Sequence, residues 1–502
     1  MMNLKKRVIF LSLFFWGAAG LVISIHRSLW GDEWNHVQDL KQGLVWAALE
    51  LLKKPSPFAP GEAVLNGVAK FLLAPLGIPT EVWARVQGLG WALATLYAAF
   101  FIFYKAPPRP GPWSQAPRSF MPLLVAFSAA LISLATEMRP YASLFFSGAL
   151  SFMILCGPPK EPHTRFEKLS FWAMLFFGHL YGLCFVTFAC FLKRQFKDWP
   201  RYLAVGFYLL FIFSQIHIKP PTTQATWSIP PLEDVLRQIF GTLGNPHKAS
   251  YAMLPLALMG FVRLAKQDRK LSLNLLVMTL VMVGGPLIAT IAGHYFFVPR
   301  QVVGGSFIFL FFVDQGLIHI LDFAAYQSAT APRAFSLMVM AAVFCMTVLP
   351  WSLSTILAIP PFPNQPFHRF REIAHSVIKR GSHGVLSLDV CNLGPIEDYF
   401  TIAMGSESVK KDYPMVGQMK LYRSCWVDGF CFQSLLDMKY CYSSAADFSA
   451  GGPGANLIRD GLQKGLFDTL IHSWVDMPGL LTIKKNSGEA LGPLDVVVLR
   501  DW

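Results

Sequence analysis

The uncharged run Val8 to Ile25, preceded by Lys5-Lys6-Arg7, strongly limits what this chain can fold into. It is long enough to cross the roughly 30 Å hydrocarbon core of a bilayer as a helix. Comparable apolar runs recur at about 82–104, 120–136, 140–156, 202–218, 251–265, 271–292, 301–320 and 334–357. A membrane β-barrel would show short alternating segments instead. Charged residues make up 15% of the chain, against about 25% in an ordinary soluble domain. A polytopic α-helical membrane protein is expected. A cleaved leader is the other reading of the first run. That run is long for a leader, and no small-x-small cleavage site follows. It reads as a retained span with a cytoplasmic N-terminus.

Residues 169–193 decide the topology downstream. One span would invert everything after it. Two short spans, turning at Gly178-His179-Leu180-Tyr181-Gly182, return the basic loop Lys193 to Arg201 to the cytoplasm. The basic residues favour the second option. It gathers 18 Lys and Arg at the N-terminus and in five internal loops, while the short outer turns hold only Arg139 and Arg300. Positive charge concentrates on the cytoplasmic side of membrane proteins. Short helices are tolerated at membrane depth when protein surrounds them or they line a cavity. The expected total is about 11 membrane segments, two of them short, with long outer loops at 30–80 and 219–250. Val45 to Lys54 reads as an amphipathic run on the membrane surface.

Pro360, Pro361 and Pro363 end this membrane region, 1–360. A small soluble α/β domain is expected over 361–502, on the extracytoplasmic (periplasmic) face. Phe367 to Lys379 reads as a helix, and Gly384 to Val390 and Leu494 to Leu499 as strands. Cys391, Cys425, Cys431 and Cys441 fall here, and four cysteines in an oxidising compartment favour two disulfides of unassigned connectivity.

The net charge of +13 resides in the membrane region. Residues 1–364 carry 29 Lys and Arg against 15 Asp and Glu, and residues 365–502 carry 14 against 15. The excess therefore reads as topology, and no nucleic-acid partner is expected. There is no zinc-ligand spacing, P-loop or credible dinucleotide fingerprint.

Polar residues recur at the expected outer turns. They are Asp32, Glu33 and His36 after the first span, Glu137, Arg139 and Tyr141 between spans three and four, His179 and Tyr181 in the split pair, and His294, Tyr295 and Arg300 late in the chain. Each alone has a plain structural explanation, such as an interfacial arginine with an extended side chain. Together they suggest one polar cavity walled by helices and opening outward. It would suit a substrate with an anionic head and a greasy tail. Arginine binds phosphate bidentately, and a carboxylate accepts a hydroxyl proton as a general base.

The layout resembles the GT-C glycosyltransferases, in particular bacterial relatives of protein O-mannosyltransferases and of the aminoarabinose transferase that modifies lipid A. Four motifs carry the resemblance: Gly31-Asp32-Glu33 opening the first outer loop, Arg139-Pro140-Tyr141, Gly178-His179-Leu180-Tyr181-Gly182, and the late turn Tyr295 to Arg300. The family often has Arg-Tyr at that last turn, where this chain has Arg300-Gln301. The resemblance implies transfer of a hexosyl or pentosyl unit from a polyprenyl-phosphate carrier to an envelope lipid, glycan or protein, with inversion, at the outer face of a bacterial inner membrane. It implies Asp32 as general base with Glu33 beside it. Arg139 and Arg300 would contact the carrier phosphate, and His36, Glu137, Tyr141, His179, Tyr181, His294 and Tyr295 would line the pocket. No obligatory metal or other cofactor is expected. A flippase of lipid-linked sugars would use a similar cavity, but the internal repeat common in transporters is not evident.

Overall fold

The structure, a computed structural model, describes residues 4–26, 31–47, 61–105, 118–138, 141–157, 165–193, 249–291, 299–327, 370–379, 384–387, 420–426, 430–434, 439–442, 468–472 and 495–498, with single positions 206, 239, 243, 338, 339, 341, 381, 399 and 464. The expected spans at 202–218 and 334–357 and the loop 219–250 fall almost wholly outside these. The chain divides into two compact units, one of Met1–His26 with Asp39–Gln365, the other of Arg27–Gln38 with Pro366–Trp502. The segment carrying Asp32, Glu33 and His36 thus groups with the C-terminal residues, whereas the sequence reading kept it in 1–360.

Among the described residues, four helical stretches are long and apolar enough to cross a membrane: Lys6–Ser24, Val86–Tyr104, Arg269–Ile288 and Gln301–Phe323. They belong to α1 (Leu4–His26), α5 (Val86–Lys105), α12 (Arg269–Ile291) and α13 (Ser306–Gln327), the last preceded by a 3-10 segment at Pro299–Gly305. The protein is therefore a mostly helical, multi-pass membrane protein. Between α1 and α5, much of the expected loop 30–80 is helical: α2 (Gly31–Gln42), α3 (Gly61–Leu73) and the single turn α4 (Thr80–Trp83). Asp32 and Glu33 lie in the first turn of α2, where the sequence reading expected a loop. A helix N-terminus favours carboxylates because its unpaired N–H groups carry positive charge.

The expected single span 120–136 is broken into α6 (Met121–Ala126) and α7 (Ala129–Ala135). Ser128 caps α7 by accepting the Leu131 N–H. The break frees the Ala126 carbonyl, and the Trp16 indole of α1 donates to it at 2.9 Å. Hydrocarbon offers no water for such a group, so a side chain must take its place.

Helix α8 (Tyr141–Cys156) is buried from Tyr141 through Leu155. Its 16 residues span about 24 Å at 1.5 Å each. A helix apolar on all sides and enclosed by others need not match the bilayer by itself. Phe146 packs on Trp91 of α5, with ring centroids 5.4 Å apart, and Phe152 on Phe311 of α13, at 4.4 Å. Residues 169–193 resolve into α9 (Arg165–Phe177) and α10 (Leu180–Leu192), each 13 residues, reversing at Gly178-His179. Ser143 meets His179 at the start of α10, while Lys193, at its end, reaches the Ile154 and Gly157 carbonyls at the end of α8. Helices α8 and α10 therefore run parallel. Helix α9 runs the opposite way, so the two short helices form a hairpin.

Helix α11 (Ala249–Gln267) crosses α13 at close range. A Cβ at Gly260 would collide with the Phe312 carbonyl, and one at Gly316 with that of Leu256. Small residues allow such contact, which replaces the hydrophobic driving force that lipid removes. Beyond the crossing, Arg263 donates to Gln315 Oε1 at 2.5 Å and pairs with Asp322 at 2.9 Å.

In the second unit, α14 (Phe370–Lys379) buries Ala374, Val377 and Ile378. Six strands follow: β1 (Gly384–Ser387), β2 (Lys420–Trp426), β3 (Phe430–Ser434), β4 (Lys439–Tyr442), β5 (Thr469–His472) and β6 (Asp495–Val498). They form one sheet in the order β4-β3-β2-β1-β5-β6. Strands β2, β1, β5 and β6 are parallel and β2-β3-β4 is an antiparallel meander. The register sets Cys425 opposite Cys431 and Cys431 opposite Cys441.

Gly260→Leu should overpack the α11–α13 crossing and cost about 1–3 kcal/mol. Gly90 has nothing within reach of a Cβ, so Gly90→Ala should hold or raise stability through helix propensity. Thermal unfolding of both variants in detergent checks this. Equal midpoints would refute the tight crossing.

Candidate functional site

The reversal at Gly178-His179 gathers a polar layer at one end of the helix bundle. His179 is extended, with φ −81° and ψ 135°, and its Nδ1 accepts the Tyr181 N–H at 3.2 Å. It therefore caps α10. Its own N–H donates to Ser143 Oγ, from the first turn of α8, at 2.8 Å. The His179 ring lies 5.4 Å from that of Tyr141 and 5.2 Å from that of Tyr181. Three expected pocket residues thus meet around one break. His179 is fully buried and Tyr141 nearly so.

Two neighbouring elements reach the same break. Gln87, in the first turn of α5, donates its amide to the Phe177 carbonyl at 2.9 Å, which satisfies the C-terminus of α9. Gln87 Oε1 is buried and has no hydrogen-bond partner among the described residues. Gly61, opening α3, packs on Phe176 and Phe177, which brings the fully buried Glu62 beside the break. On the other side, Gly88 lets α5 approach the turn after α7, since a Cβ there would strike the Glu137 carbonyl. Glu137 is fully buried in that turn. Sequence reasoning missed Glu62 and Gln87. The signal was present in Glu62, Glu81, Arg85 and Gln87, four polar residues within apolar runs that are all buried. Arg85 Nη1 donates to the Ser24 carbonyl at 3.1 Å, at the C-terminal turn of α1, where a cation is favoured.

The acidic segment belongs to the other unit. Glu33 is fully buried and His36 partly so. They are three residues apart, so they share one face of α2. The Asp32 side chain lies outside the described residues, as do Arg139, His294, Tyr295 and the side chain of Arg300. The backbone of Arg300 is in the 3-10 segment preceding α13, and its neighbour Gln301 is fully buried. Among the described residues, no three His, Cys, Asp or Glu side chains are grouped as metal ligands, and Cys156, Cys184 and Cys190 are free thiols.

Asp314 is a further buried carboxylate that the sequence reading did not single out. It lies within α13 and accepts the Phe120 N–H at 2.5 Å, Ser119 Oγ at 3.2 Å and the Gln315 amide at 3.3 Å. Ser119 in turn accepts the Met121 N–H. These bonds cap the start of α6.

No family model matches the chain, and no curated protein does. Among solved structures, it is similar to ArnT from Cupriavidus metallidurans in the apo state, at 13% identity over 80% of this chain and 85% of that one, with a TM-score of 0.44. The same protein bound to undecaprenyl phosphate aligns at 12% identity over 84% and 94%, with a TM-score of 0.38. The arabinofuranosyltransferase AftD from Mycobacteria aligns at 14% identity over 75% of this chain and 29% of AftD, with a TM-score of 0.41.

Ser143→Ala should leave the buried His179 N–H without its acceptor and cost about 1–3 kcal/mol. About two turns further along α8, buried Ser151 Oγ has no hydrogen-bond partner among the described residues, so Ser151→Ala should leave the unfolding midpoint unchanged or raise it. A midpoint for Ser143→Ala as high as that of Ser151→Ala would contradict the capping role.

Proposed function

We propose that this protein is a membrane glycosyltransferase of the GT-C type that moves a sugar from a polyprenyl-phosphate carrier to an acceptor hydroxyl. The observation that carries the reading is the gathering of Tyr141, Ser143, His179 and Tyr181 around the break between two short membrane helices, with the buried Gln87 amide beside it. A polar layer embedded in an apolar bundle suits a substrate that is polar at one end and hydrocarbon at the other.

In the proposed reaction the acceptor oxygen attacks the anomeric carbon from the face opposite the carrier. The bond from that carbon to the phosphate oxygen breaks, and polyprenyl phosphate departs with the electron pair. Configuration inverts. Asp32 takes the acceptor proton, with Glu33 beside it in the first turn of α2. Arg139 and Arg300 hold the charge that grows on the departing phosphate, because a guanidinium offers two parallel donors to two phosphate oxygens. His36, Glu137, His294 and Tyr295 complete the pocket wall. The reading places the site on the extracytoplasmic side of a bacterial inner membrane, with the C-terminal α/β part on that side and an envelope lipid, glycan or protein as acceptor.

A panel of polyprenyl-phosphate sugars offered to the protein in proteoliposomes tests this. Asp32→Asn should lower kcat by about 10²–10⁴, the usual contribution of a positioned base, with carrier binding retained. Turnover at the wild-type rate in that variant would remove Asp32 from the reaction. Arg139→Ala should weaken donor binding by about 1.5–3 kcal/mol, the range for a hydrogen bond to a charged group. An unchanged donor KM would remove its phosphate contact. If no donor is consumed but a labelled carrier crosses the bilayer, the protein is a transporter.

A further inference from the structure

Strand β3 carries one cysteine, and the register sets another cysteine beside it on each side. Cys431 stands opposite Cys425 of β2 and opposite Cys441 of β4. Both ladders are antiparallel, and residues directly opposite in such a ladder stand on the same face of the sheet. Three cysteines thus form a row across three adjacent strands of one compact unit. The N–H and C=O of a strand residue point to the same side. Cys431 therefore makes a hydrogen-bonded pair with one neighbour and a non-hydrogen-bonded pair with the other. The Cα separations of such pairs are about 5.5 and 4.5 Å. Both fall within the roughly 4.4–6.8 Å that a disulfide spans. Cys425 and Cys441 are two strand spacings apart, about 9.5 Å, beyond the roughly 7 Å that a disulfide bridges without backbone movement.

We infer that Cys425, Cys431 and Cys441 form a thiol–disulfide exchange site in which Cys431 bonds to either neighbour in turn. The row holds one disulfide, always through Cys431, and one thiol at its other end. In the exchange, the Cys441 thiolate attacks the Cys431 sulfur of a Cys425–Cys431 bond. The Cys431–Cys441 bond forms as the old bond breaks. Cys425 departs as a thiolate and takes up the proton that Cys441 gave up, so nothing is oxidised or reduced overall. Attacking and leaving groups belong to strands on opposite sides of β3, as an in-line displacement at sulfur requires. The loops closed by the two bonds differ by only a few residues, and closure entropy varies with the logarithm of length. Loop length therefore favours neither bond by more than about twofold. Making the first bond removes two electrons and two protons, which a small disulfide such as glutathione disulfide accepts. In the cell that step rests on the extracytoplasmic placement proposed above; the exchange itself does not. The transfer reaction proposed above uses none of the three cysteines. A second disulfide in this region would need Cys391, which lies outside the described residues.

The test uses the full chain with Cys391→Ser, which leaves the row as the thiols of the C-terminal region. Acid quenching, alkylation and cleavage at Asp and Lys separate the three for mass spectrometry, because Asp428, Asp437 and Lys439 lie between them. Both Cys425–Cys431 and Cys431–Cys441 links should be found after oxidation by glutathione disulfide. Cys425→Ser and Cys441→Ser should each keep a link from Cys431 to the remaining neighbour, and Cys431→Ser should leave no link in the row. A photolabile group on Cys441 isolates the exchange: the oxidised protein then starts with Cys425–Cys431 alone. After light frees Cys441, the Cys431–Cys441 link should grow as the first declines. It should grow about tenfold faster at pH 7 than at pH 6, because the thiolate fraction of a mostly protonated thiol rises tenfold per pH unit. A first link that persists while Cys441 is alkylated would overturn the exchange. A Cys425–Cys441 link, or Cys431 alkylated in the oxidised protein, would overturn the row. If the wild type is isolated with the row fully reduced, yet exchanges once glutathione disulfide is added, the extracytoplasmic placement fails and the exchange site stands.

Discussion

A helix that stops inside hydrocarbon leaves carbonyls or N–H groups with no water to bind, and in this protein neighbouring side chains take them up. The Phe177 carbonyl at the end of α9 receives Gln87, and the Ala126 carbonyl at the end of α6 receives Trp16. Ser24 near the end of α1 receives Arg85, and the end of α8 receives Lys193. At helix starts the polarity reverses. Asp314 accepts the Phe120 N–H, Ser143 that of His179, and His179 that of Tyr181. An unsatisfied buried backbone group costs about as much as one or more hydrogen bonds. The breaks are therefore supported by specific side chains, some at the helix's own end, as Ser128 and His179, and some from distant parts of the chain, as Trp16 and Gln87.

The broken helices also create the features that chemistry would use. Continuous spans at 121–135 and 165–192 would present smooth apolar faces. Interrupted, they gather a histidine, two tyrosines and an amide around one break, and they border a cavity along α1. The supports also hold these groups in place. His179 is fixed through its main chain by Ser143 and through its ring by the Tyr181 N–H, so its orientation does not depend on a ligand. Glycine at the α11–α13 crossing serves the same rigidity by letting backbones touch.

Much of this was legible beforehand. Apolar length announced α1, α5, α8, α11, α12 and α13. The distribution of lysine and arginine announced the reversal at Gly178-His179, because charge placement responds to topology rather than to packing. Phe370–Lys379, Gly384–Ser387 and Asp495–Val498 fell within the helix and strands expected from periodicity. The break at Phe127-Ser128 was not legible. Its stretch is as apolar as an unbroken span, and what stabilises the interruption is Trp16, about 110 residues away in sequence. Gln87, Glu62 and Asp314 were passed over for the same reason: a polar residue in an apolar run has no meaning until its partner is known.

By itself the sequence determined that the chain is helical and membrane-spanning, where its long spans lie, and which polar residues stand near their ends. These follow from local quantities, the hydropathy of about twenty consecutive residues and the charges that flank them. Only the tertiary structure decided which of those polar residues meet. It joined Tyr141, His179 and Tyr181, added Gln87, made Asp314 a cap, and grouped Asp32, Glu33 and His36 with the C-terminal unit. Those outcomes depend on the pairing of backbone groups between distant helices, which no window of local sequence contains.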